Sequence, residues 1–407
     1  MLLLCPFMLY ALIPTAHALP GWFAGGPGAT LSSSAAHVVI ARSPGFTTLT
    51  LAQDVSSNRR DFAMIVPVPS IPLEGDVREV SPDSLRTIDA YTAPRLVSYP
   101  CDAYVGQVVP PAGPLMAYTM LACEGDQSPR VAPDSGIGDD GVMVEETVTV
   151  AASYQTGVYT VQVLDAAEAG HLLAWLADNG YDVPDAAAEI IQAYLDEGNY
   201  FVAAKVRLPN LDPVWLAPLQ ITYAADTLTL PLRLGALAGR GQQELLMYIV
   251  TRAEWGGVGI ANYPETTFED ECLVPEGQNF VDFYASSLKG GFGARPAWVR
   301  ECAWAAGNCD PCAGAELGPR TVEDLGFEPG RLGSEFAVTR LRMRYDPAVI
   351  AEDLEFYVGG VFQPEQARFI RYHAGLTSTF PTCGIGYESV PGAECVPYGY
   401  ESGCSDG

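Results

Sequence analysis

The chain has 407 residues, 48% of them hydrophobic and 17% charged, which is enough apolar material for one large core or two packed units. Its 49 acidic residues against 22 Lys and Arg give a formal net charge of -27 and a pI near 4.3. Such a surface repels phosphate backbones and anionic headgroups, so nucleic acid is not an expected partner.

Residues 1–18, MLLLCPFMLYALIPTAHA, hold an apolar run from Leu2 to Ile13 and end in the small-residue pattern Ala16-His17-Ala18. This reads as a secretory signal peptide, although no Lys or Arg precedes the apolar run. Cys5 has nothing upstream that could make it a lipid-attachment site. No later stretch is long and apolar enough for a membrane helix, so no transmembrane segment is expected in the mature chain.

From His37 to Val66 three segments are strand-like, HVVIA, FTTLTL and DFAMIV, separated by Ser43-Pro44-Gly45 and Ser56-Ser57-Asn58. VPVPSIP, which follows, cannot donate at its prolines and reads as an edge or polyproline-like segment. Residues 125–141 are rich in Gly, Pro, Ser and Asp and read as a long loop.

Two helices are predicted next. The first has Asp165 and Glu168 as capping residues, a face of Leu172, Leu173 and Leu176, and a stop at Asn179-Gly180. The second runs from about Asp185 to Glu197 and buries Ile190, Ile191, Tyr194 and Leu195. In YFVAAKVRL, Val202, Ala204, Val206 and Leu208 share one face, with Lys205 and Arg207 on the other. LQITYAADTLTLPLRL reads as a hairpin whose second arm turns Leu228, Leu230, Leu232 and Leu234 inward, near an edge because of Pro231. ELLMYIVTR, Glu244 to Arg252, is a further buried strand.

Between Asn262 and Gly333 periodicity fades while Gly, Pro, Trp and Cys accumulate, and a crosslinked, loop-rich stretch is expected. FAVTRLRMRY, Phe336 to Tyr345, returns to strand alternation. The tail after His373 carries a near-duplication, CGIGYES and CVPYGYES, and reads as a small disulfide-bound knob.

The expected fold is therefore α+β, mainly antiparallel and sandwich-like, with two packed helices and a disulfide-rich, loop-rich C-terminal part. The organisation expected is a signal peptide over 1–18, a β-rich unit over 19–126, a loop over 127–141 and an α+β unit over 142–260. A Cys/Gly/Pro-rich insertion over 261–335, a strand returning to the core over 336–372 and a Cys-rich tail over 373–407 complete it.

Export makes Cys101, Cys123, Cys272, Cys302, Cys309, Cys312, Cys383, Cys395 and Cys404 candidates for structural disulfides, with one sulfur left over and connectivity unreadable from spacing. Cys309-Asp310-Pro311-Cys312 has the spacing of a redox dithiol, which needs a helix N-terminus to depress the first thiol's pKa. Upstream WAAGN is no buried strand, and downstream Gly314, Gly318 and Pro319 interrupt any helix, so a structural bridge is preferred over a dithiol or a zinc site. His37, His171 and His373 stand without a G-x-S-x-G elbow or an H-E-x-x-H helix and read as structural or surface residues. No catalytic residue, cofactor or metal is expected.

Arg340, Arg342 and Arg344 alternate along one strand, which aims them to one face about 6.5 Å apart. They are candidate binding residues for an anionic glycan, a lipid phosphate or an acidic peptide, and an envelope protein or an anionic glycan is the candidate partner. The stronger alternative pairs them with carboxylates on neighbouring strands.

Several segments together resemble a bacterial family known as domain of unknown function 2330. They are DFAMIVPVPSIP at Asp61 to Pro72, LRTIDAYTAPRLVSY at Leu85 to Tyr99, HLLAWLADNGYDVP at His171 to Pro184, AYLDEGNYFVAAKV at Ala193 to Val206, and VTRLRMRYDPAVIAEDLEF at Val338 to Phe356. The resemblance implies a secreted or envelope-located protein and supplies no functional residues. Some members end in a hydrophobic sorting tail, whereas this sequence ends in GCSDG, pointing to release or to truncation. The resulting expectation is an exported, non-enzymatic structural or ligand-binding component of the cell envelope, with an extracytoplasmic thiol-disulfide oxidoreductase as the alternative.

Overall fold

The computed structural model describes residues 21–33, 36–99, 148–184, 186–212, 214–237, 242–292, 295–305, 317–327, 335–359 and 365–388. The predicted signal peptide and the Asp/Gly/Pro-rich loop lie outside them.

The first section contains β1 (Trp22–Gly25), β2 (Leu31–Ser32), β3 (Ala36–Ser43), β4 (Phe46–Ser57), β5 (Asp61–Val68), β6 (Val77–Glu79), α1 (Pro82–Thr92) and β7 (Arg95–Val97). Next come β8 (Val148–Thr156), β9 (Tyr159–Ala166), α2 (Ala169–Asp178), α3 (Ala187–Asp196), β10 (Tyr200–Arg207), β11 (Val214–Trp215), β12 (Leu219–Ala224), β13 (Thr229–Leu230), α4 (Arg233–Ala236), β14 (Gln243–Arg252) and β15 (Val258–Ile260). The last section has α5 (Phe280–Gly291), β16 (Ala297–Ala305), α6 (Pro319–Asp324), β17 (Phe336–Tyr345), β18 (Leu354–Val358), β19 (Glu365–Gln366) and β20 (Arg368–Ile370).

Two sheets face each other. One runs β1-β5-β10-β9-β8; the larger follows β19-β16-β17-β14-β3-β4-β12-β6, with β2 and β11 also on β4. Pairing is antiparallel throughout the larger sheet except between β14 and β3. Alternation along each strand fills the space between the sheets: Met64 and Val66, Val161 and Val163, and Val202 and Ala204 meet Val38 and Ile40, Met247 and Ile249, and Leu341 and Met343.

The opposite faces are also covered. Ile65, Leu164, Phe201 and Ala203 pack under Leu172, Leu176, Ile191 and Tyr194 of α2 and α3. On the larger sheet, Val39, Leu246, Tyr248 and Val338 pack under Leu85 and Ile88 of α1 and Val322 of α6. The fold is thus an α+β sandwich with helices on both outer faces, as the sequence led us to expect in class. It has more helix than the two predicted elements.

Local chemistry accounts for most boundaries. Ser43 pairs with Phe46 across Pro44-Gly45, and the +77° φ of Gly45 is what a Pro-Gly turn requires. Pro67 pairs with Phe201 but lies beyond Ile65, the last position paired to β1, so its missing N–H interrupts no ladder on that side. After α2, Gly180 adopts φ +83° and Tyr181 N–H donates to Leu176 O at 2.9 Å, closing the helix. Its N-cap is Glu168 without a side-chain cap bond, not Asp165; the first N–H is instead taken by Gln192 Oε1 at 3.0 Å.

Two expectations are corrected. LQITYAADTLTLPLRL is not a hairpin, because β12 pairs with β4 and β6 while β13 pairs with β18 in a separate three-stranded sheet. Leu228, Leu230, Leu232 and Leu234 are nevertheless buried, the first two in and beside β13 and the last two where the chain enters the helix α4 rather than continuing as a strand. Residues 262–333 are also more regular than their composition indicates. They contain α5, capped by Asn279 Oδ1, which accepts from Val281 N at 2.9 Å, and β16, which pairs along its length with β17 and lies next to the short edge strand β19 in the larger sheet.

Candidate functional site

β17 carries the arginine ladder. Its inward residues Leu341, Met343 and Tyr345 belong to the inter-sheet core, so Arg340, Arg342 and Arg344 occupy the outer face. On one side lies β14, with Tyr248 opposite Arg340, Leu246 opposite Arg342 and Glu244 opposite Arg344. On the other lies β16, where the register shifts between Arg300, opposite Leu341, and Cys302, opposite Arg340. The residue between them is Glu301. This bulge sets its carboxylate between two arginines rather than opposite one.

Arg340 is buried, and its donors converge on two acids: Nε donates to Glu301 Oε2 at 2.5 Å and Nη1 to Asp89 Oδ1 at 2.6 Å. Arg342 Nε donates to Glu301 Oε1 and its Nη1 to Glu244 Oε1. Two phenols complete the cluster. Tyr284 of α5 donates to Glu301 Oε1 at 2.5 Å, and Tyr248 donates to Asp89 Oδ1 at 2.6 Å. Five elements therefore meet here: α1 through Asp89, α5 through Tyr284, β14, β16 and β17.

Electrostatics fix the charge states. Burial raises the Glu301 pKa, but Arg342 and Arg340 more than reverse that, holding it at about 2. For Asp89 burial likewise opposes ionisation, and Arg340 with the Tyr248 hydroxyl outweighs it, lowering the pKa below its usual value. Burial drives the Tyr248 and Tyr284 hydroxyls well above their ordinary value.

His37 of β3 stands edge-on to Tyr248, with ring centroids 6.0 Å apart, and to Trp215 at 5.5 Å. Part of the residue reaches the surface, yet the ring is packed deeply. Desolvation lowers its pKa to about 4; Asp89 pulls upward, and Arg340 and Arg342 push down with the burial. No member of the cluster with a shifted pKa has it near neutrality. Chemically the arrangement is a fixed-charge clamp rather than an acid–base pair poised to exchange a proton.

The structure thus brings Arg340 and Arg342 together with carboxylates, two of which, Asp89 and Glu301, come from elements whose approach no local pattern reveals. Arg344 is half-buried at the end of the ladder. Among the cysteines, Cys272 and Cys383 form a disulfide, and Cys302 is buried in β16. Cys101, Cys123, Cys309, Cys312, Cys395 and Cys404 lie outside the described residues. The disulfide spans a sequence separation of 111 and sits among Phe280, Phe283 and Phe369, apart from the sandwich core. Among the described residues, no group of three His, Cys, Asp or Glu side chains has the arrangement to hold a metal ion, and no helix is long and apolar enough to cross a membrane.

No curated protein and no solved structure matches the chain. A family model described as an uncharacterized protein conserved in bacteria, DUF2330, matches residues 14–357 and so covers every strand of the two facing sheets except β19, together with the arginine ladder and the clamp around it. On that match the chain belongs to the DUF2330 family.

Proposed function

We propose that the chain is an exported, non-enzymatic structural or ligand-binding component of the bacterial cell envelope. The observation that carries this reading is the Cys272–Cys383 disulfide, which joins distant segments through sulfurs that are 0% and 7% exposed on their residues. Such a crosslink persists where thiols are not kept reduced. The apolar N-terminal run ending in Ala16-His17-Ala18 supports export. Charge fixation around Glu301 supports a scaffold role over a catalytic one.

The test is expression with the native leader in a bacterial host, followed by fractionation, thiol alkylation and non-reducing peptide mapping. The expected result is a linked Cys272–Cys383 peptide pair in the extracytoplasmic fraction. Protein retained in the cytosol with both thiols alkylated would overturn the proposal. Insulin reduction that disappears in Cys309→Ser would replace it with an oxidoreductase.

A further inference from the structure

A second feature lies on the smaller sheet, away from the arginine clamp. Phe201 and Ala203 of β10 pack under α2 and α3, and the same strand face continues to Lys205 and Arg207. Across the ladders Lys205 stands between Ala63 of β5 and Thr160 of β9, and Arg207 stands opposite Asp61. An open groove of about 200 Å³ is lined by Asp61, Thr160, Lys205 and Arg207, with Tyr181, just past α2, and Val158, on the β8–β9 turn.

Lys205 is half-buried and has no carboxylate partner among the described residues. Its Nζ donates to Asn179 Oδ1 at 2.9 Å and lies 5.4 Å from the ring centroid of Trp175 and 5.9 Å from that of Tyr181. Burial lowers its pKa, and no neighbouring charge opposes the shift. The C-terminus of α2 favours a cation here, yet an ammonium carries three N–H donors and Asn179 takes one. Arg340 and Arg342 differ, because Glu301, Asp89 and Glu244 already neutralise them. Arg207 meets Asp61 at 3.6 Å with side chains 75% and 69% exposed, a contact loose enough to open to a ligand.

Charge and size select the occupant. Two cations against one acid leave the groove one net positive charge, which suits a monoanion. A dianionic phosphate would face Asp61 as well. Asp61 and the Thr160 hydroxyl can accept from hydroxyl groups, and the Trp175 and Tyr181 rings offer flat apolar surface beside the ammonium. The volume falls below the roughly 300 to 1,000 Å³ of sites for drug-sized ligands, so one small ring fits and a longer segment does not.

We propose that this groove binds a single hexuronate residue, with its carboxylate paired to Lys205 and Arg207, its ring against Tyr181 and its hydroxyls on Asp61 and Thr160. The inference deepens the ligand-binding reading and rests on it, but its test is independent of compartment and disulfide state.

Lys205 and Lys289 are the only lysines in the chain, and Lys289 is exposed on α5, outside the groove. The test acetylates the full chain with and without methyl glucuronide and follows both amines by peptide mapping. At about ten times its dissociation constant the probe is expected to slow Lys205 about tenfold and to leave Lys289 unchanged. Calorimetric titration at low ionic strength should show binding weakened about tenfold or more in Lys205→Gln and about threefold in Arg207→Gln. Methyl glucoside, which lacks the charge, is expected to bind at least about tenfold more weakly. Protection of Lys205 in the unaltered chain decides the matter even where a variant fails to fold. The proposal is overturned by absent binding, by equal protection of both lysines, or by a folded Lys205→Gln of unchanged affinity. It is overturned equally by methyl glucoside, inorganic phosphate or acetylglutamate amide matching the glucuronide. None of these outcomes bears on fractionation or on the Cys272–Cys383 bridge.

Discussion

Glu301→Gln is the most informative perturbation of the clamp. Glu301 is 0% exposed and accepts from Arg340, Arg342 and Tyr284. The amide keeps the volume but removes the charge that neutralises two buried guanidinium groups. Removing one partner of a buried ion pair costs about 3 to 5 kcal/mol, because it strands the remaining charge. That is a large fraction of the roughly 5 to 15 kcal/mol by which domains are stable. Urea unfolding followed by circular dichroism, with disulfides intact, should show a loss of this size without a change of fold.

Arg340→Met should cost a similar amount, since it takes donors from both Glu301 and Asp89. The double variant should lose less than the sum, with a coupling of about 0.5 to 3 kcal/mol. A loss below about 1 kcal/mol for Glu301→Gln, or strict additivity, would refute the clamp.

The pH dependence has a defined sign. The Glu301 pKa is depressed from 4.5 to about 2, so its contribution is complete above about 4.5 and is lost as pH falls towards 2. Glu301→Gln should flatten the stability profile in that window.

Three further outcomes are expected. His37 has its pKa lowered from 6.5 to about 4, so the unfolded chain takes up a proton before the folded one does and stability falls as pH drops from about 6.5 towards 4; His37→Gln should remove that slope in pH-dependent thermal melts. Reduction of Cys272–Cys383 should remove about 2 to 4 kcal/mol, with hydrogen exchange first accelerating around Cys272, Phe280 and Phe369 while β14 and β17 stay protected; uniform loss of protection would contradict a satellite core. Asn279→Ala should cost about 1 kcal/mol in chemical denaturation by removing the cap of α5, and an unchanged midpoint would show that tertiary packing alone sets that terminus.

How far the sequence could be read depended on whether a residue's partner was local. Alternation in Phe336–Tyr345 gives the face of every arginine, and the 3.6-residue pattern gives α2 and α3, because both signals arise within one element. The start of α1 is also written locally: Ser81 accepts from Asp83 N at 3.2 Å, directly before Pro82. α5 carried apolar residues at Phe280, Phe283, Tyr284 and Leu288, a helical spacing hidden by the Gly-rich surroundings. Glu301 was not readable. Its position between two arginines depends on a one-residue bulge in β16, and Asp89 arrives on a helix some 250 positions away from Arg340, a separation of 251.

The placement of the clamp follows from how the larger sheet is covered. Towards Phe336 and Val338 its outer face is apolar and packs against α1 and α6. Around Ala297 and Val299 it is apolar again and packs against Leu288 and Phe292 at the end of α5. Between these two patches stand Arg340, Arg342 and Glu301, with Asp89 reaching in from α1 and Tyr284 from α5. Apolar contact is non-directional and would tolerate sliding of either helix over the sheet. A guanidinium fork donates to carboxylates only in its own plane and at fixed spacing. The clamp therefore ties α1, α5 and β17 to one registration at the seam where apolar cover is interrupted. That is why charge neutralisation at Glu301 should loosen both helices together while leaving the inter-sheet core intact.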